Sequence, residues 1–294
     1  MRKIGRVLLA VLLLLVVWVA YSLISHHVIT PDKDDYPHQL RVLTYNTHGL
    51  GLSSKQDTRD ILAYVNSQDA DIVCMEEVRV YKNSDHISLP ELRRAMQQYP
   101  YTYYDFKVYN SYLQFGNVVF SRYPLINKHT LPYKSRSNIS SRCDVVVGED
   151  TLRLIVNHLE SYRFSDKDLQ LDSIRATSFK DSSLGKKMKS SGILRHQQAD
   201  VVHQEAKESP YPVLVVGDFN ALPVSYVYWR IRLGLRDCFL ESSFGHLGNT
   251  YQRHHIGVRI DYVLCSRCLQ PLDFKIDEVN YSDHYPVVAT IGWQ

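Results

Sequence analysis

The stretch that decides the reading is Pro212–Asn220, PVLVVGDFN. Val213 to Val216 form an unbroken apolar run, mostly β-branched, closed by Pro212 on one side and Gly217 on the other. A run this short, bounded by turn residues, fits a strand covered on both faces better than a helix. Asp218 and Asn220 follow at once, which places polar chemistry at the C-terminal end of a buried strand.

Other segments repeat this arrangement on both sides. QLRVLTYN (39–46) is strand-like and ends on Asn46, and DIVCMEEV (71–78) is a buried strand ending in Glu76 and Glu77. FGNVVFSRYPL (115–125) is a strand closed by a turn at Pro124. DVVVGEDTLRLIVNHLES (144–161) predicts a hairpin around Gly148, Glu149 and Asp150, with its second strand ending at His158. VRIDYVLCS (258–266) carries Asp261, and Asp283 and His284 precede the strand YPVVATIGW (285–293).

Helical spacing appears in DTRDILAYVNSQ (57–68), with Asp57 as candidate N-cap, in ELRRAMQQY (91–99), near Lys167–Phe179, and in ILRHQQADVVHQEA (193–206). Strands interspersed with helices, without repeats or low complexity, predict a layered α/β domain of packed sheets with helices outside.

Taken singly, each strand-end residue has a bland reading. A lone Asp at a strand end is more often a loop cap, and a lone His is more often structural. Together they select one chemistry. Carboxylates with an Asn carbonyl suit a hard divalent cation such as Mg²⁺. Histidines supply protons or positive charge at neutral pH. The sequence has no GxSxG nucleophile turn and no GxxxxGK[ST] phosphate loop. Attack by water is therefore expected.

In order, TYN (44–46), MEEV (75–78), NHLES (157–161), GDFN (217–220), RIDYVL (259–264) and SDHYP (282–286) resemble the endonuclease/exonuclease/phosphatase superfamily. That superfamily includes DNase I-like nucleases, abasic-site endonucleases, neutral sphingomyelinases and inositol-polyphosphate 5-phosphatases. The resemblance runs from about Leu40 to Trp293. It implies a DNase I-like four-layered α/β sandwich, two packed mixed β-sheets flanked by helices, with the site at one edge of the sheets.

By the same resemblance Glu77 is the main ligand of Mg²⁺ (or Mn²⁺), with Asn46 near metal and phosphate and Asp283 beside the metal. His158 and Asn220 contact the scissile phosphate, and Asp218 orients or deprotonates the attacking water. Asp261 pairs with His284, which binds a phosphoryl oxygen or assists proton transfer. Glu76 stands where the family commonly has Gln, and a supporting role is expected for it. Arg259 is expected to brace its loop, Arg122 to set a turn, and His48, His254 and His255 to be surface residues.

Charge must be located before it is used. Of the 34 Lys and Arg residues, Arg2, Lys3 and Arg6 precede an apolar run, and the remainder balances the 31 Asp and Glu. A near-neutral domain grips nucleic acid only through a local patch. The cluster Lys186, Lys187 and Lys189 reads as a solvated face rather than that patch. The apolar run, Val7–Ile24, has no charge over 18 residues. At 1.5 Å rise it spans roughly 27 Å, close to a bilayer core of about 30 Å.

Bulky Trp18, Tyr21 and Ile24 spoil a signal-peptidase site, so an anchor is expected rather than a cleaved signal peptide. The positive flank puts residues 1–6 in the cytoplasm. Residues 7–24 then form a transmembrane helix and 25–38 a tether. The catalytic domain, 39–294, follows on the extracytoplasmic side. Its expected partner is a phosphoester substrate, nucleic acid or a membrane lipid or small molecule, and nothing points to a protein partner. Of five cysteines, Cys265 and Cys268 form a CxxC without a second pair, which argues against structural zinc and leaves room for a disulfide in an oxidising compartment.

Overall fold

A computed structural model describes residues 13, 31–51, 55–82, 86–108, 110–133, 135, 137–162, 183–242, 248–253 and 256–294. The helical pattern expected near Lys167–Phe179, His254, His255 and, apart from Leu13, the run Val7–Ile24 lie outside them. Among the described residues no helix is long and apolar enough to cross a membrane.

The strands are β1 (His38–Asn46), β2 (Ile72–Tyr81), β3 (Tyr101–Val108), β4 (Leu113–Ser121), β5 (Leu125–Thr130), β6 (Ile139–Val147), β7 (Asp150–His158), β8 (Val213–Asp218), β9 (Leu235–Asp237), β10 (Tyr251–Arg253), β11 (Ile256–Val258), β12 (Asp261–Ser266), β13 (Gln270–Ile276) and β14 (Val287–Trp293). One six-stranded sheet has the order β13-β14-β1-β2-β4-β3 and a second has β5-β6-β7-β8-β12-β9. Each contains one parallel pair, β1 with β2 and β7 with β8, among antiparallel neighbours. Strands β10 and β11 form a small separate hairpin.

Alternation decides which face each residue takes. Leu40 and Val42 on β1, Ile72 and Cys74 on β2, Leu154 and Val156 on β7, Leu214 and Val216 on β8, and Val263 and Cys265 on β12 meet in one core between the sheets. Residues of opposite parity, such as Leu43, Tyr45, Val73 and Met75, face outward. There they pack against α1 (Lys55–Ser67) through Ile61, Leu62 and Val65, and against α2 (Leu89–Ala95) through Leu92. On the other sheet Val213, Val215, Tyr262 and Leu264 face α3 (Ser183–Lys207) and α4 (Tyr226–Arg232) through Ala199, Val202, Val227, Tyr228 and Ile231. Helix, sheet, sheet and helix make the four layers.

Several details depart from the expectations. Helix α1 starts at Lys55, so Asp57 sits in its first turn rather than at its cap. Helix α2 starts earlier because Ser88 and Glu91 build a capping box, Ser88 N–H donating to Glu91 Oε2 at 2.8 Å. Helix α3 begins at Ser183, so the lysine cluster belongs to the helix instead of preceding it. Cys265 is buried in the sheet while Cys268 is exposed in the turn after β12, and all five cysteines are free thiols. The neighbour of Cys265 Sγ is Cys238 Sγ at 3.9 Å.

Strands β3, β5, β9 and β13, unmarked in the sequence reading, are the four sheet edges. Arg122 braces a turn, paired with Asp69 and Asp71. Arg259 likewise braces its loop, its Nη1 2.8 Å from Asp237 Oδ2.

Candidate active site

The inward parity of the core strands continues past their apolar residues to their ends. On β7, β8 and β12 the next inward positions are His158, Asp218 and Asp261. The three lie side by side, because His158 is the register partner of Asp218 and Asp218 that of Asp261. Facing them from the other sheet, Asn46 follows Val42 and Thr44 on the same parity of β1. All four side chains are buried.

Strand β2 reaches the site differently. Its outward residues change from Val73 and Met75 to Val78 and Val80, a slip of one residue. The pairing with β4 is irregular between Met75 and Val78, and Glu77 has φ 54°. A bulge with a left-handed residue re-aims a side chain. Here it turns Glu77 to the site, while Glu76 stays wholly buried between the sheets with Thr44 Oγ1 donating to its Oε1 at 2.7 Å. Burial raises the Glu76 carboxyl well above the ordinary range. Asn220, φ 48°, closes its own turn by donating from its backbone N–H to Asp218 Oδ1 at 2.7 Å.

The polar contacts bind these groups into one cluster. Asn46 Nδ2 donates to Asp218 Oδ2 at 3.0 Å and approaches Glu77 Oε1 at 3.5 Å, while Asn46 Oδ1 accepts from the His48 N–H. Asn220 Nδ2 donates to Asp218 Oδ2 at 2.9 Å and to Leu159 O at 3.0 Å. His158 Nε2 lies 3.2 Å from Glu77 Oε1. His284 Nδ1 meets the Asp261 carboxylate at 3.0 and 3.1 Å, which aims Nε2 at Asp218 Oδ2, 3.8 Å away. Asp283 stands at the rim with Oδ1 3.4 Å from His48 Nδ1.

Three supporting residues were not singled out from the sequence. Asn138 Nδ2 touches His158 Nε2 at 2.9 Å. Thr250 Oγ1 accepts from the backbone of Ile260 and Asp261. Ser282 Oγ donates to Asn46 O at 2.9 Å and accepts from His284 N at 3.2 Å. Ser282 lies inside the quoted SDH, whereas Asn138 and Thr250 carry no local signal.

Electrostatics separates the roles. Burial pushes the Asp218 carboxyl up to about 6, partly offset by the nearby His284. Burial alone lowers a histidine, but Asp261 and Asp218 override it and hold His284 up at about 10. Burial works against ionised Glu77 as well, yet His158 keeps it down at about 2. His158 is raised in turn, since Glu77 outweighs its burial. At neutral pH the cluster therefore holds a charged imidazolium beside a carboxylate basic enough to take a proton.

A divalent cation fits this donor set best at Glu77. Its carboxylate is ionised and 20% exposed, with Asp218 and Asp283 as further oxygen donors around the cleft. As placed, Asn46 holds carboxylates with its amide nitrogen, and its oxygen is engaged by backbone. Ligand atoms of Asp218, Asp261 and His284 lie within 4.8 Å of one another. That trio reads as proton-handling, because His284 Nδ1 is already bound to Asp261 and a protonated ring repels a cation.

Comparisons with known proteins bear on the family and the fold. The sequence model of the endonuclease/exonuclease/phosphatase family matches residues 43–284. An endonuclease/exonuclease/phosphatase from Beutenbergia cavernae superposes with TM-score 0.64 at 18% identity, covering 87% of this chain and 72% of its own. Truncated Caenorhabditis elegans TDP2 gives TM-score 0.62 at 16% identity over 88% of this chain and 100% of its own. Sphingomyelinase C from Streptomyces griseocarneus gives 0.61 at 18% identity over 87% and 100%. No curated protein matches the chain in sequence.

Proposed function

Because the chain belongs to the endonuclease/exonuclease/phosphatase family, we propose that it hydrolyses a phosphodiester with water, using Mg²⁺ or Mn²⁺ at Glu77, in an extracytoplasmic domain anchored by Val7–Ile24. The observation that carries this reading is the row His158–Asp218–Asp261, with the Asp261–His284 pair folded over its end.

Asp218 takes the proton of the attacking water, since its raised carboxyl is both ionised and basic near neutral pH. Asn46 and Asn220 orient that carboxylate through their amide nitrogens. His284, kept protonated by Asp261, presents Nε2–H to a phosphoryl oxygen where negative charge develops. His158 flanks Asp218 on the other side, its imidazole raised by the neighbouring Glu77. The cation, when bound, supplies charge to the phosphoryl and leaving oxygens. Glu77 and Asp283 would hold it, with Asn46 beside them.

A second reading, a lipid or small-molecule phosphoesterase, draws support from one feature. Leu222 and Val224, two and four residues beyond Asn220, are exposed, Val224 by 85%. An inactive binding module is the third reading, and the two positive-φ site residues Glu77 and Asn220 argue against it.

The test is hydrolysis by the purified full chain in detergent, with Mg²⁺ and with EDTA, and His284→Ala as control. Substrates are plasmid DNA, RNA, sphingomyelin, phosphoinositides, and bis-p-nitrophenyl phosphate against p-nitrophenyl phosphate. Metal-dependent cleavage of a diester, lost in the variant, is expected. A folded protein that cleaves none of these sinks the proposal.

A further inference from the structure

The chain enters the domain at the end opposite the site. His38, the first residue of β1, pairs with Trp293, and Asn46, the last, lies in the catalytic cluster. Eight strand steps at about 3.3 Å separate them by about 27 Å. The residues before β1 are fastened at the entry end. Lys33 Nζ lies 3.2 Å from Asp273, Gln39 Nε2 donates to Lys33 O at 2.9 Å, and Gln294 Nε2 donates to Asp35 O at 2.9 Å. Between the apolar run and this fastened segment the sequence leaves Ser25–Pro31, seven residues. Fully extended they reach about 25 Å, of which the headgroup layer takes roughly 6 Å.

To lay the catalytic end on the bilayer, that connection would have to climb the whole height of β1 and round the side of the sandwich. About 19 Å of free reach does not cover about 27 Å. Surface charge does not decide the matter. The entry end carries Arg232, Arg236 and Arg267 around a pocket with Glu241, but also Asp32, Asp34 and Asp35 near the chain entry. The length of the tether sets the orientation.

We propose that the tether holds the catalytic end facing away from the bilayer, so that the substrate is a water-borne phosphodiester and not a lipid of the same membrane. The inference rests on the anchor and phosphodiesterase readings above. Exposed Tyr112 and Tyr281 belong to the same outward end, beyond β2 and beside Ser282, and offer faces on which bases can stack. The exposed Leu222–Val224 loop then borders a substrate groove and not a bilayer.

The chain supplies its own probe. Cys268, the one exposed cysteine of five, sits in the turn between β12 and β13 at the entry end. The full chain is reconstituted into vesicles containing headgroup-quencher lipid, with a fluorophore on Cys268. A second preparation carries it on Val224→Cys in a Cys268→Ser background. The expected result is loss of fluorescence from Cys268 and none from position 224. Quenching at position 224, alone or equally, overturns the orientation, and a chain that fails to float with vesicles overturns the anchor beneath it.

A second arm compares bis-p-nitrophenyl phosphate with sphingomyelin or phosphoinositide in the same vesicles. The soluble diester is turned over as in detergent. Lipid turnover, if detergent reveals any, appears in vesicles only after about 20 Gly/Ser residues are inserted after Ser25, which adds up to ~70 Å of reach. Lipid cleavage in the vesicle with the native tether overturns the proposal. Absence of hydrolysis in detergent too removes the phosphodiesterase reading and the substrate assignment, while the quenching result still reports the orientation.

Discussion

Two buried ion pairs stand two residues apart on the same segment, and only one of them is built for chemistry. Arg259 meets Asp237 with Nη1 2.8 Å from Oδ2. Tyr228 OH and the Phe239 N–H complete the carboxylate at 2.6 and 3.0 Å, and the guanidinium lies over the rings of Phe239 and Tyr262 at 4.5 and 4.8 Å. Three donors hold the carboxylate, and a guanidinium does not release its proton. Asp261 and His284 form an equally buried pair, but the imidazole has a second nitrogen that remains pointed at Asp218 and the cleft. Burial and pairing are common to both. The unspent nitrogen is what distinguishes a reactive pair from a brace.

This contrast breaks if substitutions on the two sides have the same effect. The largest change is expected from His284→Ala or Asp218→Ala, each lowering turnover by at least about 10²-fold, the lower end for a general acid–base group. Circular dichroism should remain native, and an unchanged rate in the folded variant removes the assignment. Arg259→Ala should act on stability instead. Stranding the Asp237 carboxylate costs roughly 3–5 kcal/mol, whereas Arg259→Met with Asp237→Leu should recover only part of that loss, because Tyr228 OH and the Phe239 N–H then lose their acceptor. Urea titration of the two variants checks this, with activity normalised to folded protein staying near that of the parent.

The third expectation concerns pH. His284 is held at about 10 against about 6.5 in an unfolded chain, so its contribution to stability is complete below about 6.5 and lost as pH rises through 10. In EDTA-treated protein the urea midpoint should fall between pH 7 and 10, and His284→Gln should flatten that slope. A parent and variant with parallel profiles would disconnect His284 from the effect. Smallest is Ser282→Ala, which removes the bond to Asn46 O and the acceptor for His284 N. A loss of about 1 kcal/mol is expected, with turnover falling less than for His284→Ala.

What the sequence made legible follows one rule of sheet geometry. Interior strands such as VLVVG are apolar on both faces, and their ends are marked by the first polar inward residue. This is how Asn46, His158, Asp218 and Asp261 could be found. All four edge strands went unread because edges need not look like strands. Strand β13, QPLDFKI, has Pro271 near its start, and β5 exposes every residue after Leu125.

The bulge at Glu76–Glu77 was legible in principle, since apolar parity slips between Met75 and Val78. Supporting contacts of Asn138 and Thr250 were not, because they come from loops whose approach to the site is set by the whole fold. Cys265 likewise finds Cys238, 27 residues away in the chain, because β9 lies beside β12.

Gly217 immediately precedes Asp218, with φ 111°. A β-carbon there would sit 2.2 Å from Asn157 O and 3.0 Å from Glu76 Oε1. Asn157 immediately precedes His158, so the missing carbon is what lets β7 and β8 close to their observed spacing beside the two catalytic side chains. In genetic terms Gly217 has no tolerated missense change: every amino-acid replacement adds that carbon and prises the two strands apart. Loss-of-function alleles should therefore gather at a residue that touches no substrate and offers no functional group.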